Sequence, residues 1–127
     1  MARPAEKELT QRELEVMHVF WKRGELTATE ARDQLATQGL DLAYVTVANL
    51  VRILVEKGFL EQTNAERPFQ YRPVRAFQEV SRRLVRDLVQ RVFLGSREEL
   101  LVQVLGNKKL TAKERLVLEQ ILKEQEQ

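Results

Sequence analysis

The stretch of sequence that decides the fold is YVTVANLVRILVEKGFLEQTNAERPFQYRP, which spans residues 44–73. Its first half places apolar side chains three and four positions apart, which predicts a helix from about Tyr44 to Lys57. Gly58 predicts the end of that helix. The predicted buried face consists of Val47, Leu50 or Val51, and Leu54, and the opposite face of Val45, Thr46, Asn49, Arg52, Ile53 and Glu56.

The spacing of apolar residues changes from a helical to an alternating pattern after this helix. Residues 59–63 (FLEQT) form a short extended run, and residues 64–67 (NAER) form a polar turn. Residues 69–72 (FQYR) then alternate apolar and polar side chains before Pro73. This pattern predicts a β-hairpin directly after the helix.

Two more helices are predicted upstream. Thr10 is followed three residues later by Glu13, the capping-box pattern in which each side chain satisfies a backbone amide of the other residue. Thr27 and Glu30 repeat the pattern. Three short helices followed by a hairpin describe a winged helix-turn-helix.

From residue 76 to the end the pattern is helical again, in three segments. The three helices can bury part of their apolar stripe among themselves. Its breadth favours association with a partner, and an identical chain is the simplest one. We therefore expect a mainly α-helical protein, with a winged-helix DNA-binding domain over residues 1–75 and a helical dimerisation domain over residues 76–127. The candidate dimerisation residues are Leu84, Leu88, Val92, Leu101, Leu105, Leu118, Ile121 and Leu122.

The outward face of the third predicted helix carries side chains that can read base pairs. Asn49 can form two hydrogen bonds with adenine, and Arg52 can do the same with guanine. Thr46 can contact a base edge or a phosphate. The alternative is that these residues are the solvated face of a helix, with Arg52 paired to Glu56 one turn on.

Phosphate contacts are expected from two further positions. Arg67 lies at the predicted hairpin tip, with Arg72 and Arg75 nearby, where a wing meets the DNA backbone. Tyr44 begins the third helix, and its hydroxyl can reach a phosphate. The alternatives are ordinary solubilising charge on the turn and a partly buried Tyr44 ring with its hydroxyl in water.

The charge balance leaves a second class of function open. The chain of 127 residues has a net charge of +2, yet residues 1–75 hold eleven basic and eleven acidic side chains and are neutral. A nucleic-acid binder usually carries a basic footprint. The alternative is therefore a helix-turn-helix module that binds another protein and not DNA.

Several other classes are disfavoured. The chain has no cysteine and one histidine, His18, which excludes thiolate and multi-histidine metal sites. We expect His18 to be a partly buried packing residue. We expect no enzyme activity, cofactor or metal, because the sequence has no nucleophile motif and no glycine-rich phosphate loop. No apolar run approaches the roughly 20 residues of a membrane span, so we expect no membrane insertion. The absence of cysteine suits a reducing cytoplasm, which is the expected location.

The motifs together resemble the penicillinase-repressor (BlaI/MecI) family over nearly the whole chain, from about Leu9 to the final helix. The residues that carry the resemblance are Leu9-Thr10, ELEVMHVFW at 13–21, Ala43-Tyr44, Thr46-Val47, VEKGFL at 55–60, Arg67 and Tyr71-Arg72-Pro73. The resemblance implies a homodimeric repressor that binds a palindromic operator. It also implies that a membrane sensor-protease pathway relieves repression through cleavage in the C-terminal domain.

Three departures from the family pattern bear on specificity and regulation. Val45, Asn49 and Ile53 stand where the family commonly has threonine, threonine and arginine, and Arg52 lies one position early, so the operator can differ. The Asn-Phe dipeptide at which β-lactam-responsive members are cleaved is absent from the sequence. The cysteine motif of the related copper-responsive repressors is absent as well, so copper sensing is not expected.

Overall fold

The computed structural model describes residues 8–106 and 108–126. These residues form six helices and a small antiparallel sheet, and the chain divides into two compact units, Met1–Ser81 and Arg82–Gln127. The mainly helical winged-helix fold expected from the sequence is confirmed. The domain limits, residues 1–75 and 76–127, stay a prediction.

Three helices form most of the first unit. They are α1 (Gln11–Arg23), α2 (Ala28–Thr37) and α3 (Tyr44–Lys57). The Thr10 hydroxyl accepts a hydrogen bond from the Glu13 backbone N–H at 3.2 Å, and the Glu13 carboxylate accepts one from the Thr10 backbone N–H at 2.9 Å. These two bonds confirm the first capping box. Thr27 and Glu30 cap α2 in the same way. Gly58 ends α3 with a φ of 87°, a left-handed conformation that favours glycine.

The predicted hairpin is present and belongs to a larger sheet. Its strands are β2 (Leu60–Gln62) and β3 (Gln70–Pro73), and a further strand, β1 (Leu26–Thr27), pairs antiparallel with β3. The order is therefore β1-β3-β2, with Tyr71 opposite Leu26 on one side and Gln62 on the other. Because β1 connects α1 to α2, this pairing fixes the hairpin against the helices.

The core of the first unit lies between the helices and the base of the hairpin. Val51 is 1% exposed and Leu50 is half-buried, so Val51 is the residue that belongs to the buried face of α3. Burial of each large side chain contributes roughly 1.5–3 kcal/mol. The core residues are Val16, Met17, Val19, Phe20, Ala31, Leu35, Val47, Val51, Leu54, Phe59, Leu60 and Val80.

An aromatic cluster joins α1 to the segment after the hairpin. The Trp21 indole N–H donates to the Arg75 carbonyl oxygen at 2.9 Å, and the Trp21 ring meets the Phe77 ring edge-on with centroids 5.3 Å apart. His18 is exposed, so the expected partial burial is wrong. The reason is that its ring packs against the outer sides of the Trp21 and Phe77 rings and not in the core.

Helices account for the second unit as well. They are α4 (Phe77–Val92, which begins in the first unit), α5 (Arg97–Leu105) and α6 (Ala112–Gln125). Ser96 caps α5, and Thr111 with Glu114 forms a capping box on α6. Among the described residues of this unit, Val89 is the one buried hydrophobic side chain. In the part of the chain that the structure describes, no helix is long and apolar enough to cross a membrane.

Candidate nucleic-acid interface

The two faces of α3 separate as the sequence predicts. Val47, Val51 and Leu54 are buried against the core. The face opposite them is exposed and carries Val45, Thr46, Asn49, Arg52 and Glu56. Ile53 is half-buried, so its assignment to the open face is wrong, because it follows Arg52 around the helix and lies at the edge of that face. The three candidate base-reading residues Thr46, Asn49 and Arg52 are therefore all open to solvent.

Arg52 makes the ion pair that the alternative interpretation required. Its guanidinium lies 2.9 Å from the Glu56 carboxylate, and the two side chains are 60% and 64% exposed. Pairs of this kind, four residues apart on a helix surface, contribute about 0.2–0.5 kcal/mol. Such a weak pair leaves the Arg52 guanidinium free to exchange Glu56 for another acceptor at low cost.

The three arginines of the wing have different partners. Arg72 lies 2.6 Å from the Glu61 carboxylate, and Arg75 lies 3.2 Å from that of Glu79. The Arg67 guanidinium lies over the Phe69 ring, 5.2 Å from its centroid. None of the ion pairs found among residues 8–106 and 108–126 involves Arg67. Of the three wing arginines, Arg67 is therefore the one whose charge is not offset by a carboxylate partner among the described residues.

A cleft of about 360 Å³ brings the wing and the two helices of the helix-turn-helix together. It is lined by Thr27, Ala28 and Thr29 at the start of α2, Tyr44 at the start of α3, and Arg67, Pro68, Phe69 and Tyr71 of the wing. The two candidate phosphate contacts, Tyr44 and Arg67, therefore share one cavity.

Tyr71 adds a second phenol to this cleft. Burial raises the pKa of the Tyr71 phenol above its ordinary value, and the Tyr44 phenol raises it further, while Arg67 lowers it. Because a phenol with a raised pKa stays protonated at neutral pH, the Tyr71 O–H remains a hydrogen-bond donor. One guanidinium and two phenol donors on one cleft suit an anionic oxygen ligand.

Comparison with known proteins identifies the family. The sequence model that describes the penicillinase repressor family matches residues 9–124 of this chain. The chain belongs to the penicillinase repressor family. It is therefore a DNA-binding transcription regulator and not an enzyme, and the resemblance in its sequence motifs is confirmed.

One solved structure similar to this repressor is the reduced form of MarR from E. coli. The two share 16% sequence identity with a TM-score of 0.46, and the match covers 91% of this chain and 76% of the MarR chain. A search of curated protein sequences found no match.

Six of the eight cleft residues were not predicted as site residues from the sequence, among them Thr29 and Tyr71, which carry hydroxyl groups. Thr29 lies two residues after Thr27, the capping residue of α2, and carries no signal that distinguishes it from other exposed threonines. Tyr71 belongs to the alternating pattern of β3, which indicates a strand but does not show what lies beside it. The pairing of β1 with β3 places both residues at the cleft, and β1 is too short for its pairing to be read from alternation.

The second unit of the repressor exposes a large apolar surface. Of the candidate dimerisation residues, Leu105 and Leu118 are half-buried and the rest are exposed, from 38% at Leu84 to 62% at Val92. A groove of about 750 Å³ between α5 and α6 contains several of them. Its apolar lining comes from Leu100, Leu101, Val104, Leu105, Leu110, Val117, Leu118 and Ile121.

Proposed function

We propose that this member of the family is a homodimeric, sequence-specific transcriptional repressor. The observation that carries the proposal is the exposed face of α3, where Asn49 and Arg52 lie three residues apart on the helix whose first residue, Tyr44, lines the cleft. Residues at this spacing on a helix point to the same side, so both side chains can enter one major groove. Asn49 pairs with adenine, Arg52 with guanine, and Thr46 with a neighbouring base edge or phosphate.

The cleft between the wing and the helices holds one backbone phosphate. Arg67 supplies the charge, and the hydroxyls of Tyr44 and Tyr71 supply neutral donors. Contacts of this type position a protein on the duplex without reading sequence. They also account for DNA binding by a winged-helix unit whose overall charge is close to neutral, because the charge is local.

Dimerisation is proposed to bury the apolar surface of the second unit. Single exposed hydrophobic residues are common on monomers, but contiguous patches of this size usually mark an association site. An identical chain related by a two-fold axis presents the same surface, and it places two α3 helices on two half-sites of a palindromic operator. The proposed domain limits are residues 1–75 for DNA binding and 76–127 for dimerisation.

Repression acts on chromosomal DNA, so the proposed location is the cytoplasm. We propose that proteolysis in the C-terminal domain, triggered through a membrane sensor-protease, separates the dimer and relieves repression. Because the chain has no Asn-Phe dipeptide, the cleaved bond differs from that of the β-lactam-responsive members.

The proposal is tested by selecting duplexes from a random-sequence DNA pool with the full-length protein. We expect one palindromic sequence to be enriched and its affinity to fall steeply with salt, because phosphate contacts release counterions. Absence of enrichment, or binding that is insensitive to salt, would instead support a helix-turn-helix module that binds another protein.

Replacing Arg52 with alanine should cost about 1–3 kcal/mol of binding free energy and relax the base preference at one operator position. The measurement is the affinity of wild-type and Arg52→Ala protein for a set of single-base operator variants at fixed salt. Glu56→Ala is the matched control, because it breaks the same ion pair and leaves the arginine in place. If both variants lost the same amount of operator affinity, the role of Arg52 would be limited to stabilising the helix through its ion pair.

Replacing Arg67 with alanine should weaken binding to all operator variants alike and reduce the salt slope by about one unit. The reason is that the residue contacts a phosphate and no base. Arg72→Ala is the matched control on the same wing, because it removes the same charge from a residue of β3 that does not line the cleft. An equal reduction of the salt slope in both variants would contradict a dedicated phosphate cleft.

A further inference from the structure

Val45 is an unusual side chain for its position. It is 63% exposed, and it lies at the N-terminal end of α3 in the middle of the exposed face. Asn49 follows one turn later, and Arg52 follows in the next turn, so the three side chains form one row along the helix. The row therefore begins with an aliphatic group and continues with two hydrogen-bonding groups.

Two of the other exposed large hydrophobic residues of the first unit, Tyr44 and Phe77, have neighbours that account for them. Tyr44 lines the cleft, and the Phe77 ring packs against the Trp21 ring. Val45 is neither a core residue nor a lining residue of the cleft. A valine in this row has no donor or acceptor for a phosphate or a base edge, so it favours only an apolar partner.

The major groove offers one such partner. Thymine presents a C5-methyl group there, beside the acceptor oxygen of the same base, and no other standard base carries a methyl at that edge. In helix-turn-helix proteins the N-terminal residues of the recognition helix make the base contacts, which is where Val45 lies.

We propose that Val45 contacts the methyl group of a thymine in the operator and makes that base pair a specificity position. The inference rests on the proposed function. It adds one base that the protein recognises by burying the thymine methyl group and not by a hydrogen bond. Val45 then selects thymine next to the base that Asn49 reads.

The test uses the duplex enriched from the random pool, with each thymidine replaced in turn by deoxyuridine, which lacks only the methyl group. With wild-type protein we expect one position in each half-site at which the replacement weakens binding about fourfold, the factor that burial of one methyl-sized group gives. With Val45→Ala we expect weaker binding to the thymidine duplex and no further loss on replacement by deoxyuridine.

Two variants serve as controls for the Val45 contact. Val74→Ala shortens another exposed valine of the same unit, 51% exposed and placed directly after β3, and should leave the deoxyuridine effect intact. Thr46→Ser removes the methyl group of the residue next to Val45. Because Thr46 belongs to the proposed interface, its readout is the deoxyuridine effect and not the overall affinity, and that effect should persist.

The outcomes separate this inference from the proposed function. If no sequence is enriched from the pool, the proposed function fails and Val45 reads nothing. If a sequence is enriched but no deoxyuridine replacement weakens binding, the Val45 contact is wrong while DNA binding stands. The contact is equally wrong if the deoxyuridine effect persists in Val45→Ala or is abolished by Thr46→Ser.

Discussion

Replacing Glu13 with alanine should lower the free energy of unfolding of the protein by about 3 kcal/mol. The Glu13 carboxylate is almost fully buried and lies 2.8 Å from the ammonium of Lys57, at the far end of α3. It also caps α1 through Thr10. Removal of one partner from a buried pair is costly because the other charge loses its compensation.

Chemical denaturation of wild-type and Glu13→Ala protein measures this effect. Glu15→Ala is the matched control, because Glu15 lies on the same helix and pairs with Arg12 at 2.9 Å on the surface. Its loss should be much smaller, because solvent screens the exposed Arg12–Glu15 pair. In a double-mutant cycle, Lys57→Met should recover part of the stability lost in Glu13→Ala. Equal losses from Glu13→Ala and Glu15→Ala would show that the buried pair contributes no more than a surface pair.

Replacing Leu88 with glutamate should lower operator affinity by about 10²–10⁴-fold, although the DNA-reading residues stay the same. The reason is that a monomer binds one half-site and loses the gain in affinity that two linked DNA-binding domains provide. Leu88 lies on α4 and is 41% exposed, and a charge there opposes burial against a second chain.

Sedimentation and operator binding at matched protein concentrations measure the two consequences together. Gln90→Glu adds the same charge at an exposed position of the same helix and removes no apolar surface. It should remain dimeric and bind as wild type does. A Leu88→Glu protein that stays dimeric, or one that is monomeric with full affinity, would contradict the proposed link between dimerisation and repression.

The parts of the fold that were predictable depend on local interactions. Thr10 with Glu13 and Thr27 with Glu30 satisfy helix amides within four residues of chain, so their spacing alone identifies both helix starts. The change of period after Gly58 identifies the hairpin for the same reason. The sequence did not decide whether Leu50 or Val51 is the buried residue of α3. The answer depends on where α1 and α2 pack against α3, which is not a local property of the sequence.

The features that escaped prediction depend on contacts between distant segments. The pairing of Leu26 with Tyr71 joins residues far apart in the sequence, and a strand of two residues shows no alternation. The cleft exists only once that pairing is made, so Tyr71 could not be assigned to it beforehand. His18 was misplaced because its neighbours, the rings of Trp21 and Phe77, come from another turn and another segment.

The indole of Trp21 gives the repressor a spectroscopic probe of its own. It is the single tryptophan of the chain, and its hydrogen bond to the Arg75 carbonyl oxygen places it where the winged helix continues into α4. When the indole is excited selectively over the two tyrosines, the fluorescence of the unlabelled protein therefore reports on this junction. A red shift and stronger quenching by iodide would mark release of the segment around Arg75 from α1, and titration with operator DNA can be followed at the same wavelength.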